Sequence, residues 1–218
     1  MNSSAFLRVD AQLPLTLLRC VRVQDTPAEL LPDESPETFF PKRLGLSGVV
    51  EDQIRHFDRL ARRRRRVESE QVQALLELIA RRPDADAIFE AAGRQLADLR
   101  FRGLIGRLRR LTRRLPRALQ RRATARGLRA AYGGILVASR LDVSSSPVEM
   151  RAIDALTAGL NSQGKACRLY GSLAEGLAEL NGAVSVEAVH TQCQARGDDA
   201  CHWVIEYRSP NADRRQSQ

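Results

Sequence analysis

His190, Cys193 and Cys201 fall in one stretch, residues 184–207, VSVEAVHTQCQARGDDACHWVIEY, with the spacing H-x2-C-x7-C. A further thiol, Cys167, lies upstream. Thiolate and imidazole are the donors zinc prefers, and a structural zinc site is closed and tetrahedral. Three thiols and one imidazole would complete such a set. Cys193 leaves one apolar segment and Cys201 enters the next, so a turn between them would bring the two sulfurs together. His190 and Cys193 are three residues apart, which puts them on opposite faces of a regular strand. Both can bind one metal only if the strand bends or bulges between them. The alternative is that the cysteines are reduced and buried, packing as small hydrophobes. The C-x7-C spacing leaves both open. Cys20 stands apart from the set.

The elements that must position these residues follow from the pattern around them. Alternating apolar residues over 184–193 and 201–207 predict a hairpin across the loop at Gly197-Asp198. Residues 166–180 predict a helix that starts at Cys167 and stops at Asn181-Gly182. Strands are expected over 135–143 and 148–154, with a Ser-Ser-Ser-Pro turn between them; residues 151–160 also fit a helix. Upstream, helical spacing predicts helices from Ser47, over 69–82, 84–99 and 103–122. Pro116 should kink or divide the last. Gly93, mid-helix, costs about 1 kcal/mol against alanine, and the expected reason is close approach of a neighbouring helix. The apolar segment 13–23 reads as a strand or a docked arm, and the Pro-rich segment 25–42 as a surface loop. The result is an α+β chain, a helical layer on a four-stranded antiparallel sheet. Its expected divisions are an arm and loop (1–44), a domain with a helical part (45–131) and a sheet and metal part (132–208), and a polar tail (209–218).

Of 218 residues, 43% are hydrophobic but only 5% aromatic, so the core must be mainly Leu, Ala, Val and Ile. No apolar run is long enough to span a bilayer, and the N-terminus lacks the pattern of a secretory signal. A cytoplasmic location is inferred, where thiols stay reduced and serve as ligands or buried groups. The net charge of +9 is local: from Arg94 to Arg129 there are thirteen arginines and one acid, Asp98. Five further arginines stand in a row at 62–66. Such runs suit nucleic acid, an acidic partner or an anionic surface, or are simply solvated helix faces. Few aromatics accompany them, which disfavours base stacking. No dinucleotide or Walker pattern is present, and no Ser-His-Asp or paired-carboxylate arrangement.

Three segments carry a resemblance: residues 167–176, CRLYGSLAEG; 184–193, VSVEAVHTQC; and 195–205, ARGDDACHWVI. Together they resemble the C-terminal part of the 4-vinyl-reductase domain family. That family is related to the Golgi-transport TRAPP subunits and to sensor domains of aromatic-responsive transcription activators. Its metal-binding members use Cys, Glu, Cys, Cys, which fall here on Cys167, His190, Cys193 and Cys201. His190 departs from the family's Glu but is itself a zinc ligand type, with Glu187 as a partner to its ring. The resemblance implies a helical layer on a four-stranded sheet, a structural zinc, an apolar pocket between the layers and a dimer. The helices at 48–66 and 69–82 are the expected dimer surface.

The function expected from these readings is a zinc-containing, non-enzymatic module that binds an apolar or aromatic small molecule or regulates through one. Trp203, Tyr132 and Phe101 are the candidate pocket residues. One alternative is an enzyme or accessory protein of tetrapyrrole (bacteriochlorophyll) vinyl reduction, as the family's name suggests. Another is an adaptor that holds nucleic acid or an acidic partner through the arginine-rich helix.

Overall fold

The computed structural model describes residues 8–26, 49–105, 116–160 and 163–207, the side chains of 100–105 excepted. Among these residues six α-helices surround a four-stranded antiparallel sheet. None of the helices is long and apolar enough to cross a membrane.

The sheet is made of β3 (Arg140–Val143), β4 (Val148–Ile153), β5 (Val186–Gln192) and β6 (Cys201–Tyr207), in the order β3-β4-β6-β5. Helix α6 (Arg168–Leu180) crosses between the two hairpins and lies on one face of the sheet. That face takes every second residue: Val148, Met150 and Ala152 from β4, and Cys201, Trp203 and Ile205 from β6, all buried. The opposite face carries His202, Val204 and Glu206, which are half-buried or exposed.

Helix α6 is itself covered by α4 (Ala85–Ile105), so nearly every residue along it is buried. Small residues make this possible. A Cβ at Gly93 of α4 would sit 2.6 Å from the Leu169 carbonyl oxygen and 2.7 Å from the Ser172 Cβ. One at Gly176 would sit 2.9 Å from the Ala97 Cβ, and one at Gly171 would touch Ala188 and Trp203 at 3.5–3.6 Å. The glycine at position 93 thus serves the close approach its sequence position suggested. Charges clamp the same layers. Glu175 is only 2% exposed. It pairs with Arg168 at 3.2 Å and Arg94 at 3.4 Å, and accepts the Ala188 N–H of β5 at 3.0 Å. A buried carboxylate needs this full set of donors to offset its lost hydration.

Helices α1 (Gln12–Asp25), α2 (Val49–Arg62) and α3 (Ser69–Ala80) complete the outer layer, and α5 (Arg117–Ala131) follows Pro116. The segment expected as a strand or arm is α1. Its Leu13, Leu15, Leu17 and Leu18 are all buried, and a short, nearly continuous apolar run does not separate strand from buried helix by periodicity. The helix-forming stripes of α2 and α3 are covered within the chain: Ile54, Phe57, Val72, Leu76 and Ile79 are all buried. The expected helix start at Ser47 and much of the expected helix 103–122 lie outside the described residues.

The expected strand 135–143 is corrected: only Arg140–Val143 pairs. Ile135, Leu136, Val137 and Ala138 are buried as an irregular segment. Its backbone finds partners without a neighbouring strand. The Tyr170 hydroxyl donates to the Val137 carbonyl at 2.9 Å and accepts its N–H at 3.2 Å, and the Leu136 N–H reaches Ala131. At 148–154 the strand alternative holds, as β4. Two short strands, β1 (Arg8–Asp10) and β2 (Arg66–Glu68), pair apart from the main sheet. The turn before β2 closes α2 with the Arg65 N–H on the Leu60 carbonyl and the Arg64 N–H on the Ala61 carbonyl. This is the Schellman pattern, and Arg64 holds its left-handed position at φ 52°. Glycine is the usual occupant, and a side chain there costs about 1 kcal/mol or more.

Candidate metal centre

The strand pattern alone would turn His190 and Cys193 apart. The ladder between β5 and β6 resolves this. His190 pairs with Trp203 and Gln192 with His202, so two steps on β5 oppose one on β6. Thr191 is the extra residue of a β-bulge. Its hydroxyl donates to the His202 carbonyl at 3.2 Å and lies 2.9 Å from the His202 Nδ1. The one-residue slip leaves His190 on the inner face and returns Cys193 to that face.

Three elements then converge. Cys167 closes a short 3-10 turn (Lys165–Cys167) at the head of α6, Cys193 follows β5, and Cys201 opens β6. The ligand atoms of Cys167, His190, Cys193 and Cys201 all lie within 4.8 Å of one another. The three cysteines are buried and unpaired in disulfides, and His190 is half-buried. This cluster could hold a metal ion.

The surroundings fit that use. The Cys167 and Cys193 sulfurs are 3.8 Å apart. Bonds of 2.3 Å to a tetrahedral zinc give an S···S edge of about 3.8 Å. The buried Nε2 of His190 has no hydrogen-bond partner among the described residues, although a buried polar nitrogen ordinarily finds one. The His190 ring stacks on Trp203 at 4.7 Å between centroids and 9° between planes, which fixes its orientation.

Each sulfur is also held. The Gln194 N–H donates to the Cys201 Sγ at 3.4 Å, and the Thr157 hydroxyl lies 3.4 Å from the Cys167 Sγ. Asp198 accepts the Cys193 N–H at 2.6 Å while its own N–H donates to the Cys193 carbonyl at 3.2 Å. The Gly197-Asp198 loop thereby wraps Cys193, with Gly197 in the left-handed region at φ 100°. Gly164, at φ 88°, leaves the space that the Cys193 sulfur fills: a Cβ there would lie 3.0 Å from Sγ. The Cys201 thiol is drawn down to about 5, chiefly by its hydrogen bond with Cys167, helped by the His190 ring and the Gln194 N–H and opposed by burial. The same contact with Cys201, and burial, push Cys167 well up.

No family model, curated protein or solved structure matches this chain.

The remaining candidate residues lie elsewhere or outside the cluster's ligand set. Trp203 is 1% exposed, packed between His190 and Tyr170, whose ring centroid is 5.7 Å away. Tyr132 is largely exposed, its hydroxyl donating toward the Ala138 and Ser139 carbonyls. The side chain of Phe101 lies outside the described residues. Glu187 sits on β5 opposite Glu206. Cys20 is on α1, with its thiol toward the Gln95 side chain at 3.4 Å, away from the cluster. Within the arginine-rich segment, Arg94 pairs with Glu175 and Glu179, Arg121 lies 5.3 Å over the Tyr207 ring, and Arg129 reaches the Val143 carbonyl. Residues 106–115 of that segment lie outside the described residues.

Thr157, Gly164 and Gln194 went unnoticed in the sequence, and Asp198 was read only as a turn residue. Gly164 had a signal, since it precedes Cys167 by three residues.

Proposed function

We propose that this chain is a small-molecule-binding or regulatory module, without catalytic activity of its own, built around one structural zinc. The observation that carries this is the convergence of Cys167, His190, Cys193 and Cys201 from three separate elements. Four protein donors fill a tetrahedral ion, which leaves no position for a water or a substrate. A metal so enclosed ties the head of α6 to both strands of the second hairpin and does not take part in a reaction. When bound, zinc would hold the three sulfurs as thiolates and the imidazole as neutral. Cys193 and Cys201 are positioned by the hairpin, Cys167 by its turn, and His190 by the bulge and by Trp203.

The motif resemblance to 4-vinyl-reductase domains supports the same reading, since the three cysteines fall on that family's ligand positions. Elemental analysis of the purified chain tests it. One zinc per chain is expected, together with thiols that resist alkylation until a chelator is added. Protein that is folded, zinc-free and freely alkylated at Cys193 and Cys201 would overturn it and leave the cysteines as buried apolar groups.

A further inference from the structure

The arginine run at 62–66 plays no part in the metal centre. It forms the turn from α2 into β2, and all five side chains are exposed. Arg64 occupies the left-handed position of that turn, where glycine would relieve the backbone. A side chain kept in a disfavoured backbone position calls for a use of that side chain.

Arg62, Arg64 and Arg66 line one cavity of about 660 Å³, within the range of small-molecule sites. Its other walls are of two kinds. Leu99, 41% exposed, supplies apolar surface, with Ala61, Leu96 and Ile135 buried beneath it. Asp10 and Gln12 supply polar groups, with the Asp10 carboxylate accepting the Gln12 N–H at 3.0 Å. The Arg62 Nε pairs with Asp58 at 2.7 Å, which leaves its other N–H groups. Among the described residues Arg64 and Arg66 hold no ion pair. Among the described residues, Asp58 offsets Arg62 and Asp10 faces Arg64 and Arg66, which leaves the cavity positive beside Leu99.

A guanidinium fork matches the two oxygens of a carboxylate or phosphate. An apolar wall matches hydrocarbon. A neutral apolar ligand would leave the arginines unused, and an inorganic anion would leave the exposed Leu99 unused. We propose that this cavity binds a soluble organic anion, a carboxylate or phosphate carried on an apolar body. The proposal rests on the small-molecule-binding reading above and gives it a site and a ligand class.

Calorimetric titration of the full chain with decyl phosphate, below its micellar concentration, tests it. One decyl phosphate per chain is expected, with decanol at least about tenfold weaker for want of the charged hydrogen-bonded pair, and inorganic phosphate at least about tenfold weaker for want of the buried hydrocarbon. Arg64→Gly separates binding from folding. It relieves the turn, so its melting temperature should equal or exceed the parent's, while its affinity for decyl phosphate should fall about tenfold. Arg66→Gln should weaken binding in the same direction. Arg64→Gly protein that binds as tightly as the parent would overturn the proposal. So would decyl phosphate captured only within phosphatidylglycerol vesicles, or equal binding of decanol. In the last case the module would still bind small molecules, but neutral ones. Zinc content measured on the same samples reports on the metal reading independently of either result.

Discussion

Cys193 sits where three local features meet: the bulge that turns it inward, the Asp198 carboxylate on its N–H, and the Gly164 backbone that makes room for its sulfur. Cys193→Ser should therefore cost more metal affinity than the roughly 10- to 100-fold that partners outside a ligand set are worth. Competition with a chromophoric chelator measures this. His190→Glu should retain zinc, because carboxylate is also a zinc ligand, whereas His190→Ala should weaken it. In all of them affinity should fall as pH falls, since Cys167 must give up its proton for the metal to bind. Cys20 obeys a different rule. Burial pushes its thiol up to about 11. A folded-state value above the unfolded one gives stability that is present below the ordinary thiol value and lost as pH rises toward 11. Thermal melts in that alkaline window should fall more steeply for the parent than for Cys20→Ala. Among single residues, the four ligands were legible because their types are rare and their chemistry is narrow. Thr157 was not, since nothing about a threonine ten residues before Cys167 announces a sulfur neighbour.

At the level of elements, the α4–α6 contact decides how the sheet is backed. Alanine is the better helix former by about 1 kcal/mol, so propensity alone favours Gly93→Ala. The structure reverses that sign. The added methyl would meet backbone atoms of α6 at 2.6 and 2.8 Å, which cannot rotate away. Net destabilisation of about 1–3 kcal/mol is expected from such overpacking, read from urea unfolding midpoints. A variant as stable as the parent would show that α4 does not press on α6 at this point. Helices with polar faces were legible from their period, and so was the second hairpin. The buried segments were not. In α1 the apolar run is too continuous to show a face, and within 135–138 both backbone groups of Val137 are met by one tyrosine hydroxyl from α6, a partner that periodicity does not encode.

For the whole chain, the metal centre lies where the head of α6 meets one end of the second hairpin. Cys167 meets residues 23 to 34 positions further along the chain there, on a sheet whose other half, β3 and β4, makes no ligand. Chelation should lower the melting temperature of the entire sheet in one transition, because β6 is the shared neighbour of β4 and β5. Differential scanning calorimetry with and without chelator checks this; an unchanged transition would show that the helices alone hold the sheet. The α+β class was readable from the order of helices and strands. The stacking of sheet, α6 and α4 was not, because it depends on which neighbours the glycines at 93, 171 and 176 meet in space.

The bulge at Thr191 has a second effect, outside metal binding. Among the described residues β5 is an edge strand of the sheet. A flat edge exposes unpaired N–H and C=O groups that recruit strands from other molecules, and a bulge spoils that template. A metal bound at the cluster would hold the bulge from both sides, at His190 and Cys193. Stripping it would free β5 to slip toward regular pairing, so solubility and metal content should decline together.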